Sequence, residues 1–429
     1  MKILLVHNSY LEPGGEDVVV QRESELLRSF GHEVLEYRRS NHEIEQYSWV
    51  RRLGLPSRTV WAYDTWREFS DLLQQDRPDV VHVHNTFLMI SPSIYSACRD
   101  QHVPVVQTLH NYRLLCPAAS FFRDRKPCED CTTQGLWRGI QHACYRNSRM
   151  ATASVAIMLA VHRQRKTWVE LIDRYIALTD FARSKFISAG FPQDKVTVKP
   201  NFAYPDPGER TCDGSYALFV GRLSPEKGIS TLLDAWCRYS IDIPLRIIGD
   251  GPARAQLQSN AAASATRKIV FTGQVSPAQV ISAMKEARFL VFPSELYENF
   301  PLTIVEAFAC GLPVIASDLG AMREIVTDGQ TGLLFSPGDP EDLARKIAWA
   351  CAHPEVMRQL GQQARVEYEA KYTSEANYHT LMDIYHQVIR YRLRERQAPC
   401  YNVSADTLAH IPPACPNNRI RLNTTLTFT

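Results

Sequence analysis

Along most of its length the chain alternates between short apolar, β-branched runs and longer stretches of amphipathic spacing. The runs are Ile3–Val6, Val80–Val83, Val105–Leu109, Tyr175–Leu178, Val196–Val198, Ala217–Val220, Leu245–Ile248, Ile269–Phe271, Phe289–Phe292 and Pro313–Ala316. Runs this uniformly apolar suit strands buried on both faces, which means parallel sheets covered by helices. Segments such as Val18–Phe30, Gly228–Tyr239 and Pro340–Ala352 carry the spacing of those covering helices. The repetition predicts an α/β protein with doubly wound sheets.

Nearly every run ends in a polar residue or a glycine: His7-Asn8, His84-Asn85, His110-Asn111, Thr179-Asp180, Asn201, Gly221-Arg222, Gly249-Asp250-Gly251, Gly273, Ser294 and Ser317-Asp318. Open α/β sheets bind ligands beyond the carboxyl ends of their strands. Polar strand ends in both halves of the chain therefore predict two sheets aimed at one shared cleft.

The sheet pattern breaks at Pro200–Gly208, where three prolines and a glycine suit a linker. This predicts an N-terminal unit over 1–205 and a second over 206–371. A helix over 372–396 is expected to pack back on the first unit. The tail 397–429, rich in Pro, Asn and Thr without periodicity, is expected to be disordered.

Length changes the picture little, since 429 residues also exceed one ordinary core. A formal net charge of +2 gives no support to nucleic-acid binding, and eleven cysteines in so long a chain do not make a disulfide scaffold. The run Met1–Val6 turns polar at His7 and reads as a strand, not a signal-peptide core. Val155–Val161 falls short of the roughly 20 residues a spanning helix needs. The expected address is cytoplasmic, with peripheral contact at the inner face of a membrane left open.

Two segments carry the candidate chemistry. In Phe219-Val220-Gly221-Arg222-Leu223-Ser224-Pro225-Glu226-Lys227-Gly228, a strand ends at glycine, and an arginine and a lysine follow in a tight turn. A planar guanidinium and a compact ammonium aimed at one point suit the diphosphate of an activated donor. In Glu298-Asn299-Phe300-Pro301-Leu302-Thr303-Ile304-Val305-Glu306, Pro301 sits where a helix should begin. The loop before it then meets free helix amides.

Residues 217–335 closely resemble the donor-binding domain of retaining glycosyltransferases of family 4, the class called glycosyltransferase group 1. The resemblance rests on the Gly-Arg-Leu-Ser-Pro-Glu-Lys-Gly turn, Ile-Gly-Asp-Gly-Pro at 248–252, and Glu298 and Glu306. The N-terminal half resembles the family more loosely, through Pro13-Gly14-Gly15, Val-His-Val-His-Asn at 81–85, and Leu109-His110-Asn111. The resemblance implies a GT-B architecture: two facing Rossmann-like domains around a deep cleft. It implies that Arg222 and Lys227 neutralise a nucleotide-diphosphate sugar, that Glu306 binds ribose and that Glu298 contacts the transferred sugar. Gly14, Gly15, Gly221, Gly249 and Asp250 would border the donor, backbone groups of Asn299, Phe300, Pro301 and Leu302 would hold it, and His110 would sit near the reacting carbon. His82 reads as packing; His84 is left open. Retention by double displacement needs a carboxylate nucleophile, and none is marked near His110 or Gly14. The family is thought to use front-face displacement instead, and neither a cofactor nor a catalytic metal is implied.

Three features stay open. Cys116, Cys128, Cys131 and Cys144 can close a structural zinc site, form a disulfide or simply pack. Trp49, Arg51, Arg52, Leu53, Arg58, Trp61, Trp66 and Arg67 suit either an anionic membrane surface or an inward-packed helix. The expected acceptor is lipid-linked or a polysaccharide, in cell-surface polysaccharide synthesis; membrane contact would favour the lipid-linked one. The alternatives to transfer are another enzyme of the same fold (a glycogen or sucrose-type synthase, or a sugar-nucleotide epimerase) or a non-catalytic nucleotide-sugar-binding protein.

Overall fold

The computed structural model describes residues 1–11, 14–239, 241–263 and 268–397. Pro13 and the stretch 398–429, for which disorder was expected, lie outside the described residues. In chain order the strands are β1 (Lys2–Ser9), β2 (Glu33–Ser40), β3 (Val80–Asn85), β4 (Val105–Thr108), β5 (Phe122–Arg123), β6 (Lys126–Pro127) and β7 (Arg174–Ala177). They continue as β8 (Val196–Val198), β9 (Ala217–Val220), β10 (Leu245–Ile248), β11 (Ile269–Gly273), β12 (Phe289–Phe292), β13 (Val314–Ser317) and β14 (Gly332–Phe335).

Two six-stranded sheets result, ordered β2-β1-β3-β4-β7-β8 and β11-β10-β9-β12-β13-β14, while β5 and β6 make a small hairpin. Every pair in the two large sheets is parallel. The apolar runs supply the inner strands, as their composition requires: β3, β4, β12 and β13 are buried along their whole length. Strand β2 was not anticipated. Its sequence, Glu-Val-Leu-Glu-Tyr-Arg-Arg-Ser, is half polar because it lies at a sheet edge. The chain between β8 and β9 has no helix or strand, in keeping with its prolines.

The helix Ser374–Gln397 follows the second sheet in sequence but packs on the first. Leu381, Ile384, Tyr385 and Val388 are buried against Ile3, Leu5, Val80 and Ile176. Strand order reverses between β1 and β3 in the first sheet and between β9 and β12 in the second. Such reversals open a crevice at the carboxyl ends of the strands, and the strand ends at His110, Asn201, Gly221-Arg222, Gly249-Asp250 and Ser294 line it.

Candidate active site

A cleft of about 1070 Å³ lies between the two sheets' carboxyl edges. On its second-sheet side, Gly221 and Arg222 follow β9, and the turn Pro225–Lys227 ends at Gly228 with φ +67°. A Cβ at Gly228 would fall 1.8 Å from the carbonyl oxygen of Pro293, so only glycine lets this turn close on the end of β12. The closure brings Lys227 Nζ to 2.7 Å from Glu298 Oε1, which also accepts a 2.8 Å hydrogen bond from the Ser294 hydroxyl. Lys227 and Glu298, given separate tasks by the resemblance, are therefore an ion pair. An ammonium has three N–H groups, so this pairing orients Lys227 without exhausting it.

Gly249 backs directly on the same turn, since a Cβ there would meet the Gly221 carbonyl oxygen at 1.9 Å. Asp250 lines the cleft, and its carboxylate accepts from Gly251 N and Arg254 Nη1, both at 2.7 Å. The helix Leu302–Ala309 points its N-terminus at the cleft, with Phe300, Pro301, Leu302 and Thr303 among the lining residues. Pro301 precedes the helix as its cap residue, one position earlier than its fixed φ suggested.

Asn299 reaches across: its side-chain amide donates to the Leu109 carbonyl, while its Oδ1 is buried without a hydrogen-bond partner. Glu324 crosses on another flank, accepting from Asp180 N and Phe181 N at 2.8 Å each. Glu306 sits a turn beyond the cleft lining and accepts a 3.1 Å bond from Arg22 Nη2, on the first unit's helix Gly15–Ser29. Burial raises the Glu306 carboxyl above its ordinary value against the pull of Arg22.

The opposite wall holds Gly14, Gly15 and His110. Beneath His110 runs a buried polar network whose members come from distant parts of the sequence. His110 Nε2 lies 2.9 Å from His84 Nδ1, and His84 Nε2 lies 3.3 Å from Glu23 Oε1. Glu23 pairs with Lys199 at 3.2 Å, and its Oε1 is 3.0 Å from His82 Nδ1. His82 also meets the Tyr385 hydroxyl at 2.7 Å and that of Thr108 at 2.8 Å. His82 is thus a polar junction and not packing alone.

Burial by itself would raise Glu23, yet Lys199 and His82 hold it well below the usual carboxylate range. Burial and the neighbouring His82 push His84 down to about 3; burial and His84 depress His110 strongly. Both shifts favour the neutral rings.

The first unit's helix also brings a carboxyl to Asn111, the residue after His110. Glu16 accepts from Asn85 Nδ2 at 3.0 Å and from Asn111 Nδ2 at 3.2 Å. Burial and the adjacent Asp17 raise it to about 8. Its local mark is slight, because an acid in a first helical turn ordinarily just complements the helix dipole.

The cysteines converge loosely. Cys116 and Cys131 lie near one another, and Cys144 lies close to both. Among the described residues, the group with three ligand atoms mutually within 4.8 Å is Glu23, His82 and His84, not a set of thiols. The Lys199 ammonium already supplies the cation at that group. The Trp/Arg segment divides: Trp49 is 75% and Leu53 72% exposed, whereas Trp66 packs against the core. Among the described residues no helix is long and apolar enough to cross a membrane.

With this geometry in hand, comparison with known proteins places the chain. The model of glycosyl transferases group 1 matches residues 207–367, and that of the glycosyl transferase 4-like domain matches 14–201. A phosphatidyl-myo-inositol mannosyltransferase of Mycobacterium leprae is 32% identical over 70% of this chain and 79% of its own length. An uncharacterised glycosyltransferase of Methanocaldococcus jannaschii is 36% identical and a D-rhamnosyltransferase of Pseudomonas aeruginosa 32%. These two matches cover 38% and 37% of this chain and span 45% and 42% of those relatives' lengths.

Among solved structures, sucrose-phosphate synthase from Thermosynechococcus elongatus superimposes with a TM-score of 0.68 at 19% identity, covering 91% of this chain and 99% of that one. Anabaena HepE in complex with UDP gives 0.64 at 17%, covering 90% and 100%. The fold is GT-B. The chain belongs to the group 1, family 4 glycosyltransferases.

Proposed function

We propose that the protein transfers a sugar, with retained configuration, from a nucleotide-diphosphate donor to a lipid-linked or saccharide acceptor in the assembly of a cell-surface polysaccharide. Residues 206–371 would hold the donor and residues 1–205 the acceptor. The observation that carries the reading is the convergence of Arg222, Lys227 and the N-terminus of Leu302–Ala309 on one side of a cleft, with His110 on the other. Two cations and a set of free amides stabilise charge building on a leaving diphosphate without reorganising. Glu298, held by Lys227 and Ser294, would meet the transferred sugar, and the unpartnered Asn299 Oδ1 offers a further acceptor for its hydroxyls. Glu306 would bind ribose by exchanging Arg22 for two hydroxyls. That the Anabaena neighbour binds UDP supports a nucleotide sugar as donor.

Front-face displacement fits this wall, since it asks the protein mainly to position the acceptor and stabilise the leaving group. The exposed Trp49 and Leu53 beside Arg51 and Arg52 support peripheral contact with anionic lipid, and with it a lipid-linked acceptor. The test is a panel of nucleotide sugars assayed for protection against thermal unfolding and for release of the nucleotide diphosphate. At least one should raise the unfolding temperature and turn over. A panel in which none shifts unfolding would refute the donor assignment.

A further inference from the structure

We infer that Cys116, Cys128, Cys131 and Cys144 bind one zinc ion, which staples the loop after β4 and takes no part in the chemistry. Four of the chain's eleven cysteines fall in this loop, and they gather around Gly139. A Cβ there would stand 3.2 Å from Cys131 Sγ and 3.3 Å from the ring of Pro117, the residue after Cys116. The Gly139 carbonyl accepts from Cys144 N at 3.1 Å, and Cys144 lies close to Cys128 as well. All four are free thiols; Cys116 and Cys131 are buried, while Cys128 and Cys144 are half-buried and leave an entry path from solvent.

The loop has little else to hold it. Between β4 and the helix Arg149–Gln164 it forms only the β5–β6 hairpin, with strands of two residues, and the short helices Asp130–Thr133 and Trp137–Gln141. Of the eleven non-glycine residues with positive φ among those described, seven lie between Ala119 and Asn147. Backbone of that kind persists only where its surroundings over-determine it, and such short elements supply few contacts. The hairpin turn, with Asp124 and Arg125 at φ 54° and 58°, delivers Cys128 at its exit, where Cys128 N donates to the Phe121 carbonyl at 2.7 Å. Cys131 follows on the short helix, and this Cys-x-x-Cys spacing sets two sulfurs on one ion.

Zn–S bonds of about 2.3 Å in a tetrahedral site space the sulfurs about 3.8 Å apart. Among the described residues no three thiol sulfurs lie mutually within 4.8 Å. Closing the set therefore asks for side-chain rotation, and one change of χ1 rotamer carries a sulfur about 3 Å. Binding releases the thiol protons to solvent and forms four Zn–S bonds; nothing is oxidised. The ion would also steady the rim of the cleft. Glu129, between two of the ligands, pairs with Lys185 at 2.7 Å, and the Lys185 ammonium sits 5.1 Å from the centre of the Tyr297 ring. Tyr297 follows β12 and directly precedes Glu298.

The test is elemental analysis of the full chain, purified under reducing conditions without a metal-affinity step. It should find about one zinc per chain. Cobalt(II) exchanged into the site should show the visible bands of tetrahedral thiolate coordination. Protein stripped by a chelator should unfold at a lower temperature and recover when zinc is added back. The double variant Cys128→Ser/Cys131→Ser should lose the ion. Wild-type protein that carries no metal and takes up neither zinc nor cobalt would overturn the inference. So would an ion kept by the double variant with an unchanged cobalt spectrum, which would place it elsewhere, as at Glu23, His82 and His84. If the double variant does not fold, the metal content and cobalt spectrum of the wild type decide.

Discussion

On the second-sheet wall of the cleft the charged side chains stay in reach of water: Lys227 is 27% exposed and its partner Glu298 12%. On the first-sheet wall Glu23 and Lys199 are each 1% exposed, paired with each other and contacted by His82 of β3 and Asn377 of the helix Ser374–Gln397. The difference sets what each pair can be used for. A partly hydrated pair adds little to stability, so its members are free to exchange partners with a ligand. A fully buried pair has paid a large desolvation cost and cannot lose one member without stranding the other. On the proposed function, the first kind of wall would take part in the reaction and the second would hold its polar network fixed.

Breaking the buried pair should have the largest effect on stability. Glu23→Leu leaves Lys199 charged and unpaired, and should cost about 3–5 kcal/mol in denaturant unfolding. The double variant Glu23→Leu/Lys199→Met should recover most of that loss. Lys227→Ala should cost under about 1 kcal/mol. Equal losses from the two walls would erase the contrast.

Glu16 sharpens the comparison through pH. Its carboxyl is raised from 4.5 to about 8 in the folded chain. Between those values the native state holds a proton that the unfolded state has released, so stability should fall as pH rises through that window. Glu16→Gln cannot titrate and should flatten the slope between pH 5 and 8, as measured by unfolding at each pH. An unchanged slope would mean that another group carries the dependence.

Arg22 links the two walls. If ribose displaces it from Glu306, Arg22→Ala should tighten donor binding about two- to fivefold, the scale of a modest ion pair, in calorimetric titration. Weaker binding would mean that Arg22 helps hold the donor. The smallest effect on stability belongs to the outer surface. Trp49→Ala/Leu53→Ala should leave it within about 0.5 kcal/mol. It should abolish weak, salt-sensitive sedimentation with anionic vesicles. Sedimentation unchanged by the substitutions would remove that surface from the account.

The two walls also differed in how far the sequence disclosed them. The residues proposed to hold the donor sit in three short motifs, Gly221–Gly228, Ile248–Pro252 and Glu298–Glu306, and their strand-to-turn setting could be read from neighbours alone. What could not be read was that Lys227 would pair with Glu298, 71 residues away, or Glu306 with Arg22. On the other wall His110 was visible as a strand end, but its support was not. His82 and His84 alternate with valines in an apolar strand, where a polar partner such as Tyr385 can be supplied only by a distant helix. Edge strand β2 escaped because half its residues face water, and β14 because four residues after a glycine carry little pattern.

The central claim, that the second-sheet wall acts on the leaving diphosphate, is tested most directly by comparing turnover with donor affinity in Lys227→Ala. Loss of a preorganised contact to transition-state charge typically costs about a hundred- to thousandfold in rate. Lys227→Ala should therefore lower turnover on that scale with a smaller change in donor affinity, while its unfolding curve stays near wild type. Glu306→Ala should show the reverse pattern, weakening the donor more than turnover, because a ribose contact is alike in ground and transition states. A folded Lys227→Ala enzyme that turns over at the wild-type rate would contradict the account.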